Sequence, residues 1–227
     1  VARAAGFAAV TGTMLPAFAL RDAIAARGAE RDAVRDRWVK RWSEALLRLF
    51  AVDTIIEHFP DPPTRGRGRL VVANHRSTID IGILLRTFGG HMVSRADLSG
   101  WPLVGAAARI VGTVFVDRES AESGASAIRT IRQLLKDGQT VCIFPEGTTF
   151  DGDEIRPFHA GAFVAALHTN AEIVPVGIAY ARGSGAAFVD ESFLQHLGRM
   201  AESPSTRVAV CVGEALRVAD RARAAHL

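Results

Sequence analysis

The sequence predicts an α/β fold: a single domain with a largely parallel central sheet flanked by helices, preceded by an N-terminal two-helix segment. Three observations carry this. From Arg69 onward, short β-branched apolar runs alternate with stretches of helical period, as they do when crossover helices return each strand to the same sheet. Polar residues cluster directly after those runs, where an open parallel sheet gathers its ligands. A chain of 227 residues with 48% hydrophobic content can also bury one sizeable core.

Taken in order, residues 4–20 carry no charge, but Pro16 should kink a helix there, and the stretch falls short of the roughly 20 residues that cross a bilayer. From Glu30 to Phe50, Val34, Trp38, Trp42, Ala45, Leu46, Leu49 and Phe50 share one helical stripe, with Arg31, Arg35, Lys40, Arg41 and Arg48 among the other positions. A basic amphipathic helix bearing tryptophans either lies in a membrane interface or packs on its own domain. Residues 1–51 are accordingly read as a helical membrane-association segment and 52–227 as the catalytic domain. A strand at 54–58 and a loop rich in Pro and Arg at 60–68 come next. Strands are then expected up to Ala73 and at 92–94, 113–117, 140–144, 173–180 and 207–212. Helices are expected near 78–87, 104–110, 124–136, 161–168 and 190–200, with a last one after the final strand.

Composition excludes some functions. The net charge of +3 is a mild basic excess, and 7% aromatic content offers no stacking platform, so nucleic acid is not a partner on this reading. The 2 cysteines, Cys142 and Cys211, fall in strand-like apolar runs and read as reduced core residues. No His-Glu-x-x-His or Cys-x-x-Cys spacing marks a metal site, and no Gly-x-Ser-x-Gly elbow marks a serine hydrolase. Gly66-Arg67-Gly68 precedes its strand and lacks the third glycine of a dinucleotide fingerprint.

The chemistry centres on Asn74-His75-Arg76-Ser77-Thr78-Ile79-Asp80. Five residues of helix, at about 100° each, would turn Asp80 off the face of His75, so the two can meet only if His75 precedes the helix. Ser77-Thr78-Ile79-Asp80 has the form of a capping box that starts the helix there, pointing Asp80 back toward the turn. Asp80 could then orient the imidazole and leave its other nitrogen as a base, two-thirds of a triad whose missing nucleophile is a hydroxyl brought by a substrate. The alternative reading is a cap carboxylate beside a strand-end histidine. Two further strand ends hold Arg118 and Glu146-Gly147-Thr148. A guanidinium at such a place can grip a phosphate or pair with Asp117 or Glu119, and Gly147 lets backbone come close to a ligand. The amides near Gly147 and Thr148 are candidates for holding an acceptor or a developing oxyanion.

Residues 74–80, Gly112–Arg118, Phe144–Thr149 and Ile173–Ile178 together resemble the four blocks of the glycerolipid acyltransferase family, over about residues 60–180 and in the right order. The bacterial 1-acylglycerol-3-phosphate acyltransferases are similar. This resemblance implies an O-acyltransferase that moves a fatty acyl group from an acyl-CoA or acyl-ACP thioester to the free hydroxyl of a lysolipid. It needs no cofactor and uses His75 and Asp80 as the general-base dyad. It implies that Arg118 meets the acceptor phosphate, that Glu146 bonds its glycerol hydroxyls, and that Asn74, Arg76 and Ser77 are also among the substrate contacts. It further implies a protein at the cytoplasmic face of the bacterial inner membrane, with acyl carrier protein a possible donor partner. The chain departs from the family by carrying Thr149 where many members have Arg, and His159-Ala160-Gly161 where some have lysines. Fewer cations then surround the phosphate: either Arg118 with Arg76 or Arg156 compensates and the acceptor is 1-acylglycerol-3-phosphate, or the acceptor is another lysolipid such as a lyso-ornithine lipid or a glycolipid. From a different class, a membrane-surface binding module that lost the reaction would lack the intact His75/Asp80 pair.

Overall fold

Arg69–Ala73 (β2) is buried at all five positions, so its backbone requires strands on both edges and layers on both faces. The computed structural model, which describes residues 2–24, 29–101 and 104–217, supplies them. The helices are Ala2–Ile24 (α1), Ala29–Leu49 (α2), Ile79–Phe88 (α3), Val104–Ile110 (α4), Ala121–Lys136 (α5), Gly161–Ala166 (α6) and Phe193–Glu202 (α7), with a 3-10 turn at Ala96–Gly100. The other strands are Val52–Glu57 (β1), His91–Arg95 (β3), Val114–Val116 (β4), Thr140–Ile143 (β5), Glu172–Tyr180 (β6), Thr206–Val212 (β7) and Leu216–Arg217 (β8).

They form one sheet in the order β1-β7-β6-β2-β5-β3-β4, with β8 on β6. All pairings are parallel except β6 with β7 and β6 with β8, so the expectation of a largely parallel sheet holds. One face packs α2 and α3 through Val39, Leu47, Ile83 and Leu84, and the other packs α5 and α6 through Ile131, Leu135 and Ala165. Each of these Val, Leu and Ile side chains contributes roughly 1.5–3 kcal/mol by leaving water. β2 pairs Val72 with Ile143 of β5 and Ala73 with Val176 of β6, which brings the residues following β2 and β5 out at one edge of the sheet.

Several expectations need correction. α1 is one helix of 23 residues running through Pro16, and by length and composition it is long and apolar enough to cross a membrane. The buried face of α2 runs through Arg35, Val39, Ser43 and Leu47, beside the expected stripe; of the stripe, Phe50 is buried and the other members are half-buried, with Trp38 against Phe18 of α1 and the Trp42 Nε1–H donating to Thr11 Oγ1 at 3.2 Å. Protein therefore covers part of the face that the sequence offered to a membrane interface. Cys211 is exposed, on the same side of β7 as Arg207 and Ala209, whereas Cys142 is fully buried. β8 was not anticipated, and the helix expected at the C-terminus falls within 218–227, outside the described residues.

Candidate active site

Between β2 and α3 the chain makes a turn of four residues after Asn74, with His75 ahead of the helix and Asp80 in its first turn. Asp80 is wholly buried, and its Oδ2 accepts from Arg76 N–H at 2.7 Å, from Ser77 N–H at 2.8 Å and from the His75 ring at Nδ1, 2.9 Å away. The capping box is thus half realised. Asp80 reaches back to the Ser77 amide, but the Ser77 hydroxyl accepts from Ile79 N–H at 3.3 Å and the helix is capped one residue later, at Thr78. With Nδ1–H aimed at the carboxylate, His75 Nε2 is the free nitrogen, without a partner among the described residues. The imidazole stacks on Phe144 at the end of β5, centroids 3.8 Å apart and planes within 6°.

Asp80 Oδ1 is also taken, by the Tyr180 hydroxyl at the end of β6. Burial, and then the Asp80 charge, push the Tyr180 phenol well above its ordinary range. Sequence reasoning missed this residue. The one signal available was that it is the chain's only tyrosine, placed two residues after the fourth block. His196 of α7 was missed as well: its Nε2 lies 3.4 Å from Ser77 Oγ and its Nδ1 2.9 Å from Glu191 Oε1. Burial holds its pKa below the usual imidazole value, against the pull of Glu191.

The remaining expected site residues divide into two groups. Asn74, Arg76, Ser77 and Glu146 are buried behind the turn and are engaged by protein. Asn74 bonds both backbone groups of Ile178, accepting from its N–H at 2.7 Å and donating to its carbonyl at 2.8 Å. Glu146 accepts from His75 N–H, Arg76 Nη1 and Arg156 N–H at 2.7–3.0 Å, and its side chain is wholly buried. Arg76 also donates to the carbonyls of Gly152 and Glu154 and lies over the Phe150 ring. These four side chains build the turn.

His75, Arg118, Gly147 and Thr148, by contrast, border an apolar cavity of about 530 Å³, within the roughly 300–1,000 Å³ usual for ligand sites. Its walls come from α1, α2, α3, α4 and α7, among them Phe7, Trp42, Leu85, Ala107 and Met200, and from Trp101 after the 3-10 turn. Arg118 donates to the Gly147 carbonyl instead of pairing with Asp117 or Glu119, and burial followed by repulsion from Arg95 lowers its pKa. Gly147 has φ +80°, and its amide closes the turn onto Phe144 O at 3.1 Å, so the expected pair of free amides reduces to Thr148. The fourth block does not line the cavity; it packs the middle of the sheet. Among the described residues no group of His, Cys, Asp or Glu could hold a metal.

The family model described as Acyltransferase matches residues 53–179. A lyso-ornithine lipid O-acyltransferase of Pseudomonas aeruginosa is 34% identical over 76% of this chain and 67% of its own length. A 1-acyl-sn-glycerol-3-phosphate acyltransferase of Neisseria gonorrhoeae is 28% identical over 76% and 71%. The fold matches the crystal structure of the 1-acyl-sn-glycerophosphate acyltransferase PlsC from Thermotoga maritima, with a TM-score of 0.72 at 19% identity, covering 97% of this chain and 87% of that one.

Proposed function

The chain belongs to the Acyltransferase family, and on that premise we propose that it esterifies the free hydroxyl of a lysolipid, with His75 as the base that takes the hydroxyl proton. The observation carrying this reading is the His75–Asp80 pair, 2.9 Å apart, with His75 on the wall of an apolar cavity of about 530 Å³. As Nε2 accepts the proton, the acceptor oxygen bonds to the thioester carbonyl carbon. The tetrahedral species then expels the thiolate, which recovers the proton from His75, and the Thr148 N–H is the donor available to the oxyanion. No acyl-enzyme is required. Cys142 is sealed in the core with its thiol pKa driven up by burial, and Cys211 lies outside the cavity wall.

The donor is a coenzyme A or acyl carrier protein thioester, and the work is done at the cytoplasmic face of the bacterial inner membrane. For the acceptor, 1-acylglycerol-3-phosphate is the first reading, with Arg118 on its phosphate. One observation favours lyso-ornithine lipid as the second: the other charges on the cavity wall are matched within the protein, Arg95 with Asp97 and Glu191 with Arg199. Among the described residues Arg118 is the one cation on the cavity wall without a carboxylate partner, which suits one carboxylate better than a doubly charged phosphate. Purified protein given palmitoyl-CoA and a panel of lysolipids, with products identified by mass, decides between them. Phosphatidic acid as the only product supports the first reading and ornithine lipid as the only product the second. A folded His75→Ala protein with normal turnover would refute the base itself.

A further inference from the structure

Tyr180 sits where the fold can hold the acid of the dyad still. Asp80 Oδ2 carries three donors on the side of the turn, and Oδ1 receives one, the Tyr180 hydroxyl at 2.5 Å. The tyrosine arrives there by a traceable route. β6 runs parallel to β2 and overshoots it, and the two hydrogen bonds from Asn74 clamp the backbone of Ile178, two residues before Tyr180. The same clamp therefore sets both the start of the His75 turn and the reach of the phenol. With both oxygens of Asp80 occupied, the carboxylate cannot turn about its last bond, and Phe144 blocks one face of the imidazole. The ring is thereby held from both sides.

We infer that Tyr180 is a positioning residue for the acyl transfer, acting through Asp80 to keep the His75 imidazole aligned while it carries the acceptor's proton. This rests on the assignment of His75 as the base. The chemistry needs the constraint because the imidazole becomes a cation in mid-reaction and must return its proton to a different atom, the leaving sulfur, without changing its tilt. A carboxylate free to rotate would follow the new charge and carry the ring with it. The raised phenol pKa keeps Tyr180 a donor throughout the range in which such an enzyme works. The result also assigns a role to the strand that carries the otherwise apolar fourth block: β6 delivers the hydroxyl two residues beyond the block.

The test is Tyr180→Phe, which removes one oxygen. The expected result is kcat lower by about tenfold with KM for donor and acceptor unchanged, well short of the roughly ten-thousandfold that loss of an orienting acid costs. In an Asp80→Asn background the same change should cost less than about twofold, because the partner it acts through has already been altered. Wild-type kcat in Tyr180→Phe, an equal loss in both backgrounds, or a loss confined to KM overturns the inference. An independent readout uses tyrosine labelled with ¹³C at Cζ, which gives a single resonance because the chain has 1 tyrosine. Its titration should move to lower pH in Asp80→Asn, and an unchanged titration counts against the contact even if Tyr180→Phe fails to fold. His75→Ala is run alongside. Should it turn over normally, the function assignment has failed, and the resonance still reports on the Asp80–Tyr180 bond by itself.

Discussion

Arg76 and Glu146 face each other at 2.9 Å with side chains 6% and 0% exposed, so each charge depends on the other. Removing one partner of a buried pair typically costs about 3–5 kcal/mol, because the survivor is stranded without water. Glu146→Gln should therefore lower the urea midpoint sharply while leaving the acceptor KM of the folded fraction near wild type. The opposite pattern, stability intact and KM raised, would restore Glu146 to the acceptor's hydroxyls as the family resemblance implied. The two roles look alike in sequence because a residue after a strand can point outward to a ligand or back to a neighbour. For Glu146 the deciding partner is Arg76, 70 positions earlier. His75 and Asp80 were readable because their geometry is local, five residues across one turn. Tyr180 was not, since its partner lies 100 residues away.

At the level of elements, α7 has the most to lose from a single atom. Ser192 and Gln195 form a full capping box, and the helix behind them carries His196 against Ser77 and Met200 into the cavity wall. Ser192→Ala should cost about 1 kcal/mol. It should also raise amide exchange in 193–202 before that of the central strands, and uniform exchange across α7 and β2 would mean that the cap is not what pins the helix. The alternation of strand and helix from β2 to β7 was legible because each run has its own period, and boundaries fell within about three residues. What α2 does with its apolar stripe was not legible. An amphipathic helix states that one face avoids water and leaves unsaid whether lipid or protein covers it. Here α1 supplies the cover through Phe18 and Thr11. β8 has only two residues, too few to show a period.

Across the whole molecule, two buried histidines make stability depend on pH in a definite direction. His91 is held below the usual imidazole pKa by burial and then by Arg35, against the Gly112 carbonyl, Asp36 and Asp32. His196 is held down by burial first and Arg199 later, against Glu191 and Asp80. Both stay neutral in the folded chain at a pH where the unfolded chain, titrating near 6.5, takes up protons. A depressed folded value means that the stability is complete above the unfolded value and is lost as pH falls through it, by at most about 1.4 kcal/mol per pH unit for each histidine. Glu172, held low by Thr64 and Arg69, and Glu191, held low by Arg199, add a second loss, but only below their ordinary value of 4.5. The interval from pH 6.5 to about 5 therefore isolates the histidines. Urea midpoints should be flat from pH 8 to 7 and fall steadily below 6.5, and His91→Asn, which leaves a neutral amide to face the Gly112 carbonyl, should remove part of that slope. A midpoint that holds level down to pH 5.5 would mean that the folded chain accommodates both imidazolium ions. In that case the surrounding carboxylates Asp32, Asp36 and Glu191, not burial, would govern these two sites.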